Sequence, residues 1–332
     1  MDVRQSSRRA FIGGVSAAAI ALTYTKDDIF AQSQVDQLKV LCGFPAGSIP
    51  DLVARQIAAN LAGNYVRGCI VENRPGAAGQ LAIGALKSGP ADGSVLLVAP
   101  GAVATIYPSI YSKLTYDPAT DLAPVWAAVE AVLALAVGPA VPAQVNNVAG
   151  LIEWMAANPQ QANIGSPGVG TPPHLLEAML FRSADAKWTH VPYAGGPAAI
   201  NDLLGGRIAA VALPEGILRA HHDAGKIRII STSGMKRSVY LPGVPTFAEQ
   251  GFDKVVMTDW FGLFLPGATR PEVVDAAALG IAKAVSRKEF GSALATSGMS
   301  VTSFSPAEVK TRIAAERRQW EVAVRENGIH AD

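Results

Sequence analysis

The chain has 332 residues, 49% of them hydrophobic and 17% charged, with a formal net charge of +1. That composition excludes a disordered or collagen-like chain. The charges alternate in sign with no Lys or Arg run beyond the first residues, which excludes an electrostatic footprint for nucleic acid.

The length exceeds what one hydrophobic core fills, so two lobes are expected. At the N-terminus, "SSRRAFIGGVSAAAIAL" sets Arg8-Arg9 directly before an uncharged stretch from Ala10 to Tyr24. This is the pattern of a twin-arginine export signal over residues 1–31, with cleavage near Ala31 and an uncleaved anchor as the alternative. It directs the protein to the periplasm and leaves a chain with equal numbers of basic and acidic side chains. Two cysteines, Cys42 and Cys69, travel with it. They lie near opposite ends of adjacent strand candidates, beyond the ~7 Å Cα separation that a disulfide tolerates, so two buried free thiols are expected.

Strands and helices alternate along the mature chain. "LKVLCGF" reads as a strand and is followed by a helix from Asp51 to about Ala62. "CIVEN" is the next strand, "RPGAAGQ" turns into a helix reaching about Ser88, and "SVLLVAP" is a third strand. The middle continues with strands "AVLALAV", "NIGSP", "THVPY", "IAAVAL" and "IRIISTS", separated by helices. The apolar strand "VVMTDWFGLFLP" then precedes two or three final helices, one from Pro306 to about Glu326. The alternation points to an α/β fold with mainly parallel sheets flanked by helices. No flexible linker divides it, so the chain is expected to leave the first lobe, build the second and return, with two crossing segments near Trp126–Val137 and Lys254–Phe264. The expected bounds are 36–130 and 258–332 for lobe 1 and 131–257 for lobe 2. Ligands of open α/β sheets sit at the C-terminal ends of strands, here the cleft between lobes.

Two glycine-rich turns join strand to helix there: Ala46-Gly47-Ser48, and "GSPGVGT" from Gly165 to Thr171. Free N–H groups at helix starts favour anions, so the pair suggests a carboxylate or phosphate clamped from both sides. Such turns are also common simply because they need positive φ. Ser48, Ser166 and Thr171 add hydroxyls, while Asp51 suits either a cap or a plain helix start. Enzyme signatures are missing: the sequence has no H-E-x-x-H, no G-x-S-x-G and no Walker loop. His221 and His222 are neighbours on a helix and point ~100° apart, so they do not converge on a metal. His174 follows Pro172-Pro173 at a helix start, where packing explains it. Trp260 and Phe261 read as core or hinge residues.

The series "FPAGSIPD", "VENRPGAAG", "LTYDPATDLAPV", "NIGSPGVGTPPHL", "HVPYAGGPAAINDLLGGRI", "VYLPGVPTFAEQG" and "DWFGLFLPGAT" resembles, in order and without large gaps, the Bug family of periplasmic receptors for tripartite tricarboxylate transporters. The resemblance implies a two-lobed periplasmic binding protein of type II, a Venus flytrap that closes on a di- or tricarboxylate, an acidic amino acid or an aromatic acid. It implies a non-enzymatic monomer without cofactor or metal, partnered by membrane transporter components or by a sensor protein. A secreted hydrolase using the same cleft is the rival from another class. Position by position, the resemblance assigns carboxylate contacts to Phe44, Ala46, Gly47, Ser48 and Asp51 on one side, and to Ser166, Gly168, Gly170 and Thr171 on the other. It sets Tyr193 and Glu215 at the rim. Glu215 suits a ligand amine or hydroxyl as well as it suits a solvated helix start. The chain departs from the family pattern at Ser48, where a glycine is usual, and at Pro50, which removes an N–H.

Overall fold

The computed structural model describes residues 35–63 and 65–331. The export signal expected over residues 1–31 lies outside the described residues. In chain order the elements are β1 (Val35–Cys42), α1 (Ile49–Leu61), β2 (Val66–Asn73), α2 (Gln80–Lys87), β3 (Val95–Pro100) and β4 (Leu122–Val137). The next block holds α3 (Val148–Ala157), β5 (Asn163–Ser166), α4 (Pro172–Ser183), β6 (Thr189–Pro192), α5 (Gly196–Leu204), β7 (Ala210–Pro214), α6 (Glu215–Asp223) and β8 (Arg228–Thr232). The chain ends with β9 (Thr258–Pro266), α7 (Pro271–Val285), α8 (Lys288–Thr296), β10 (Met299–Phe304) and α9 (Pro306–Asn327). Short helical turns at Ala102–Thr105, Tyr107–Ile110 and Pro118–Asp121 bridge β3 to β4.

β4 organises the molecule. At 16 residues and ~3.3 Å per residue it is about 50 Å long, more than one small sheet can cover. It changes partners along its length: Leu122–Val132 pair with β9, and Leu133–Val137 pair with β7. The first half therefore belongs to a sheet ordered β2-β1-β3-β9-β4, with β10 on the far side of β4. The second half belongs to a sheet ordered β6-β5-β7-β4, joined by β8. The outer strands pair in parallel, as βαβ crossovers require, and the pairs around β4 and β9 are antiparallel. The two crossing segments expected from the sequence correspond to β4 and to the stretch that contains β9.

Helical periodicity builds the cores. α1 buries Val53, Ala54, Ile57, Ala58 and Leu61, a stripe at i, i+4 and i+8 with its i+1 flank, against Leu38 and Val40 of β1. In the second half Leu133 and Leu135 of β4 meet Leu176, Leu180 and Phe181 of α4. β1 pairs Leu38 with Cys69 and Cys42 with Asn73, which separates the two thiols by four strand positions, ~13 Å. Both cysteines are free, as expected; Cys42 is buried but Cys69 only half-buried.

β10 is the element that sequence reading misses. Its residues "MSVTSF" alternate poorly, only Met299 is fully buried, and the pattern gives no sign of a strand until β4 is there to pair with it. α9 is fastened across this region by Arg312. Its guanidinium bonds Glu130 of β4 and Glu316 of its own helix, and it lies over the rings of Trp260 and Phe304 at 4.9 and 5.2 Å.

Candidate ligand-binding cleft

The loop after β1 is held rigidly by its own side chains. Gly47 takes φ +80°, a left-handed conformation that glycine adopts without strain. Its N–H donates to Asp51 Oδ2 at 2.9 Å, and that carboxylate also accepts from Asn73 Nδ2 at 2.8 Å and Arg55 Nε at 3.0 Å. Burial opposes ionisation of Asp51, yet the hydrogen bonds from Arg55, Asn73 and Gly47 outweigh it and hold the carboxyl below its usual range. Asp51 thus ties loop, helix and β2 together. Asn73 also donates to Phe44 O at 2.9 Å, a role that "VENRPG" does not reveal until β1 and β2 are paired. Ser48 stands at the N-cap of α1, but its Oγ donates to Pro45 O at 2.6 Å and its N–H to the same oxygen at 3.2 Å.

The opposing loop, after β5, is closed on itself in the same way. Thr171 Oγ1 donates to Gly168 O at 2.7 Å, and Gly168 N–H to Ser166 Oγ at 3.3 Å. Gly170 N–H donates to His174 Nδ1 at 3.1 Å, which fixes the ring's tautomer. Ser166 Oγ lies 2.7 Å from His190 Nε2, and the His174 and His190 rings stack with centroids 3.8 Å apart. Burial drives both imidazoles down, to about 4 for His174 and about 3 for His190. Ser166 and His190 have the separation of a nucleophile and its base. Ser166 is fully buried, however, and is absent from the cavity wall, so the contact braces the loop.

The amides therefore differ from the sequence expectation of two open anion cradles. Gly47, Ser48, Gly168 and Gly170 spend their N–H groups inside their own loops. Proline occupies the second position of α1 (Pro50) and the first two of α4 (Pro172, Pro173), where N–H groups would otherwise point outward. Ala46 is exposed, and its N–H makes no hydrogen bond with the described residues.

Each loop meets an element of the other half. A Cβ at Gly195 would lie 2.9 Å from Pro45 Cδ, and one at Gly168 would lie 3.6 Å from Ala78 Cβ. Tyr111 Oη donates across the gap to Val169 O at 2.8 Å. Between the loops is a cavity of about 30 Å³, roughly the volume of one water molecule. Phe44 and Ser48 on one side meet Thr171 and Leu213 on the other, and Asp259 and Phe261 of β9 form its floor.

The family model for the tripartite tricarboxylate transporter family receptor, TctC, matches residues 53–329. The chain belongs to that family. It is 28% identical over 315 residues to protein BugT of Bordetella pertussis, 95% of each chain being covered. Its fold is shared with the periplasmic binding protein BugD (TM-score 0.83, 24% identity, 89% of this chain and 98% of that one). It is also shared with R. palustris Rpa4515, solved with adipate (TM-score 0.83, 27% identity, 89% and 98%). This TctC-family chain is accordingly a two-lobed solute-binding receptor of a periplasmic family.

Not every assigned residue of the receptor reaches the cavity. Phe44, Ser48 and Thr171 line it; Ser166, Gly168 and Gly170 shape the loop behind Thr171; Ala46 and Gly47 sit at the exposed rim; and Asp51 is structural. Tyr193 turns away, its Oη donating to Asp202 Oδ2 at 2.8 Å, and burial with the Asp202 contact pushes the phenol up to about 12. Glu215 is neither at the rim nor solvated. Its carboxyl is 1% exposed, accepts from Ser238 Oγ at 2.5 Å and is raised by burial. It stands where Gly216 packs on the Ser297–Gly298 backbone, at the junction of the two halves. Asp259 was missed because "TDWFGLF" reads as core strand; only its pairing between β3 and β4 turns it toward the cavity.

Proposed function

We propose that this receptor captures a small carboxylate between a first lobe of residues 36–130 and 258–332 and a second of 131–257. It then delivers the ligand to the membrane components of a tripartite transporter, without itself catalysing a reaction. The reading rests on one observation: the cavity walls come from both halves and meet at two helix starts, through Ser48 and Thr171. The Ala46 N–H makes no hydrogen bond with the described residues and is the donor that a ligand carboxylate can recruit there, through a charge-assisted bond. The adipate carried by Rpa4515, 27% identical, supports the same ligand class. Arg8-Arg9 supply export by the twin-arginine route to the periplasm, where such capture is needed.

A cavity the size of one water holds no dicarboxylate, so the halves must part about β4 and β9 to admit one and close again over it. A thermal-shift panel of mono-, di- and aromatic carboxylates on ligand-free protein tests this. At least one should stabilise the fold by mass action, and Thr171→Trp should abolish the shift. A flat response across the panel, or a shift that Thr171→Trp leaves intact, would refute the reading.

A further inference from the structure

The floor of the cleft carries an acid where a receptor for doubly charged anions calls for a donor. Asp259 and Phe261 lie two apart on β9 and so share its cleft face. Asp259 is 5% exposed, and its carboxyl makes no hydrogen bond or ion pair with the described residues. A buried carboxyl without a partner is costly, and a native structure that keeps one generally uses it. Nothing around it suits a second anion. Among the described residues no Lys, Arg or His lines the cavity, and six lining residues (Pro50, Pro100, Pro167, Pro172, Pro173 and Pro214) have no N–H to donate. The Ser48 and Thr171 hydroxyls already donate to Pro45 O and Gly168 O. What remains is one acid in a lining that also holds the aromatic side chains of Phe44 and Phe261.

We propose that Asp259 is the specificity-determining residue of the cleft and receives a ligand ammonium group, so that this receptor takes zwitterionic aminocarboxylates in preference to dicarboxylates. The inference rests on the carboxylate-receptor reading and refines it. The ligand carboxylate stays at the Ala46 amide and the ammonium reaches the Asp259 floor. A charge-assisted bond then satisfies a carboxyl that makes no hydrogen bond or ion pair with the described residues. Burial pushes the unpartnered Asp259 up to about 8, so a bound ammonium would also expel its proton.

Isothermal titration of the ligand-free protein separates the possibilities with probes that differ only in one end group: succinate and 3-aminopropanoate, glutarate and 4-aminobutanoate, adipate and 5-aminopentanoate. At least one aminocarboxylate should bind at least ~10-fold tighter than its diacid partner, and Asp259→Asn should weaken it at least ~10-fold, consistent with loss of a buried charge pair. Asp259→Ser repeats the test in a smaller side chain. The unliganded melting temperature of either variant, at or above that of the wild type, shows that the fold survives. Diacids binding tighter than their partners overturns the proposal and keeps the carboxylate receptor; so does aminocarboxylate binding that both variants leave unchanged. Loss of diacid binding in Asp259→Asn overturns it too, in favour of a protonated Asp259 donating to a carboxylate. No binding by either series removes the carboxylate-receptor reading as well.

Discussion

Asp259 makes stability depend on pH in the direction opposite to most carboxylates. Burial pushes its carboxyl from the ordinary 3.8 to about 8, with Glu316 adding to the rise and Arg312 opposing it; Tyr107 is a further titratable neighbour. Between those values the unfolded chain has lost the proton that the folded chain keeps. The stabilisation is therefore complete below 3.8, declines as pH rises, and is gone above about 8. At ~1.4 kcal/mol per pH unit, the full span amounts to about 6 kcal/mol and the interval from pH 5 to pH 7 to about 3 kcal/mol. The larger figure is a ceiling, because opening the cleft rehydrates the carboxyl and stops further loss. Asp259→Asn keeps the shape and removes the titration. Urea unfolding of both proteins at pH 5 and pH 7 isolates the effect, since every other titrating group cancels in the comparison. The variant should gain about 2–3 kcal/mol on the wild type between the two pH values. A difference that stays constant within about 0.5 kcal/mol would show that Asp259 is hydrated in the folded state, and the reasoning would fail.

Two further predictions follow from the loops and from the junction. His174 and His190, at about 4 and about 3, stay neutral in the folded state, whereas the unfolded chain protonates them below ~6.5. Their stabilisation is thus present above that pH and lost on acidification, while Glu177 and Glu215, raised by burial, act in the opposite sense. Adding His190→Gln to Asp259→Asn removes that histidine's share, so from pH 6.5 to pH 5 the double variant should lose less urea stability, or gain more, than Asp259→Asn; an identical change in the two would contradict the burial of that ring. At the junction, a Cβ on Gly216 would run into the Ser297 carbonyl. Gly216→Ala should therefore lower stability by about 2–3 kcal/mol. Gly84→Ala on α2, where a Cβ meets nothing within 4 Å, should be neutral or raise it by up to ~1 kcal/mol; equal melting temperatures for the two variants would refute the packing at Gly216.

The alternation of apolar strands with amphipathic helices is local, and it was legible: the central strands and most helices fall where the sequence puts them. β10 was not, because an edge strand with half-exposed, poorly alternating side chains has no periodicity of its own. The loops at Gly47 and Gly170 were legible as left-handed turns before helices, since φ above zero favours glycine. Their chemistry was not. Whether an N–H in such a turn is free or already bonded depends on Asp51 and His174 reaching back one helical turn, and on Asn73 arriving from another strand.

By itself, then, the sequence determined an α/β fold with glycine-rich strand-to-helix turns, because periodicity and turn chemistry act over a few residues; that the fold is a receptor came from its resemblance to a family. The tertiary structure decided what the cleft is made of. It carried Tyr193 and Glu215 away from the cavity and turned Thr171 into it. By inserting β9 between β3 and β4 it also set Asp259 at the floor. The physical reason is that burial and partnership of a polar group are properties of everything that surrounds it, and residues separated by more than 200 positions meet only once the sheets have formed.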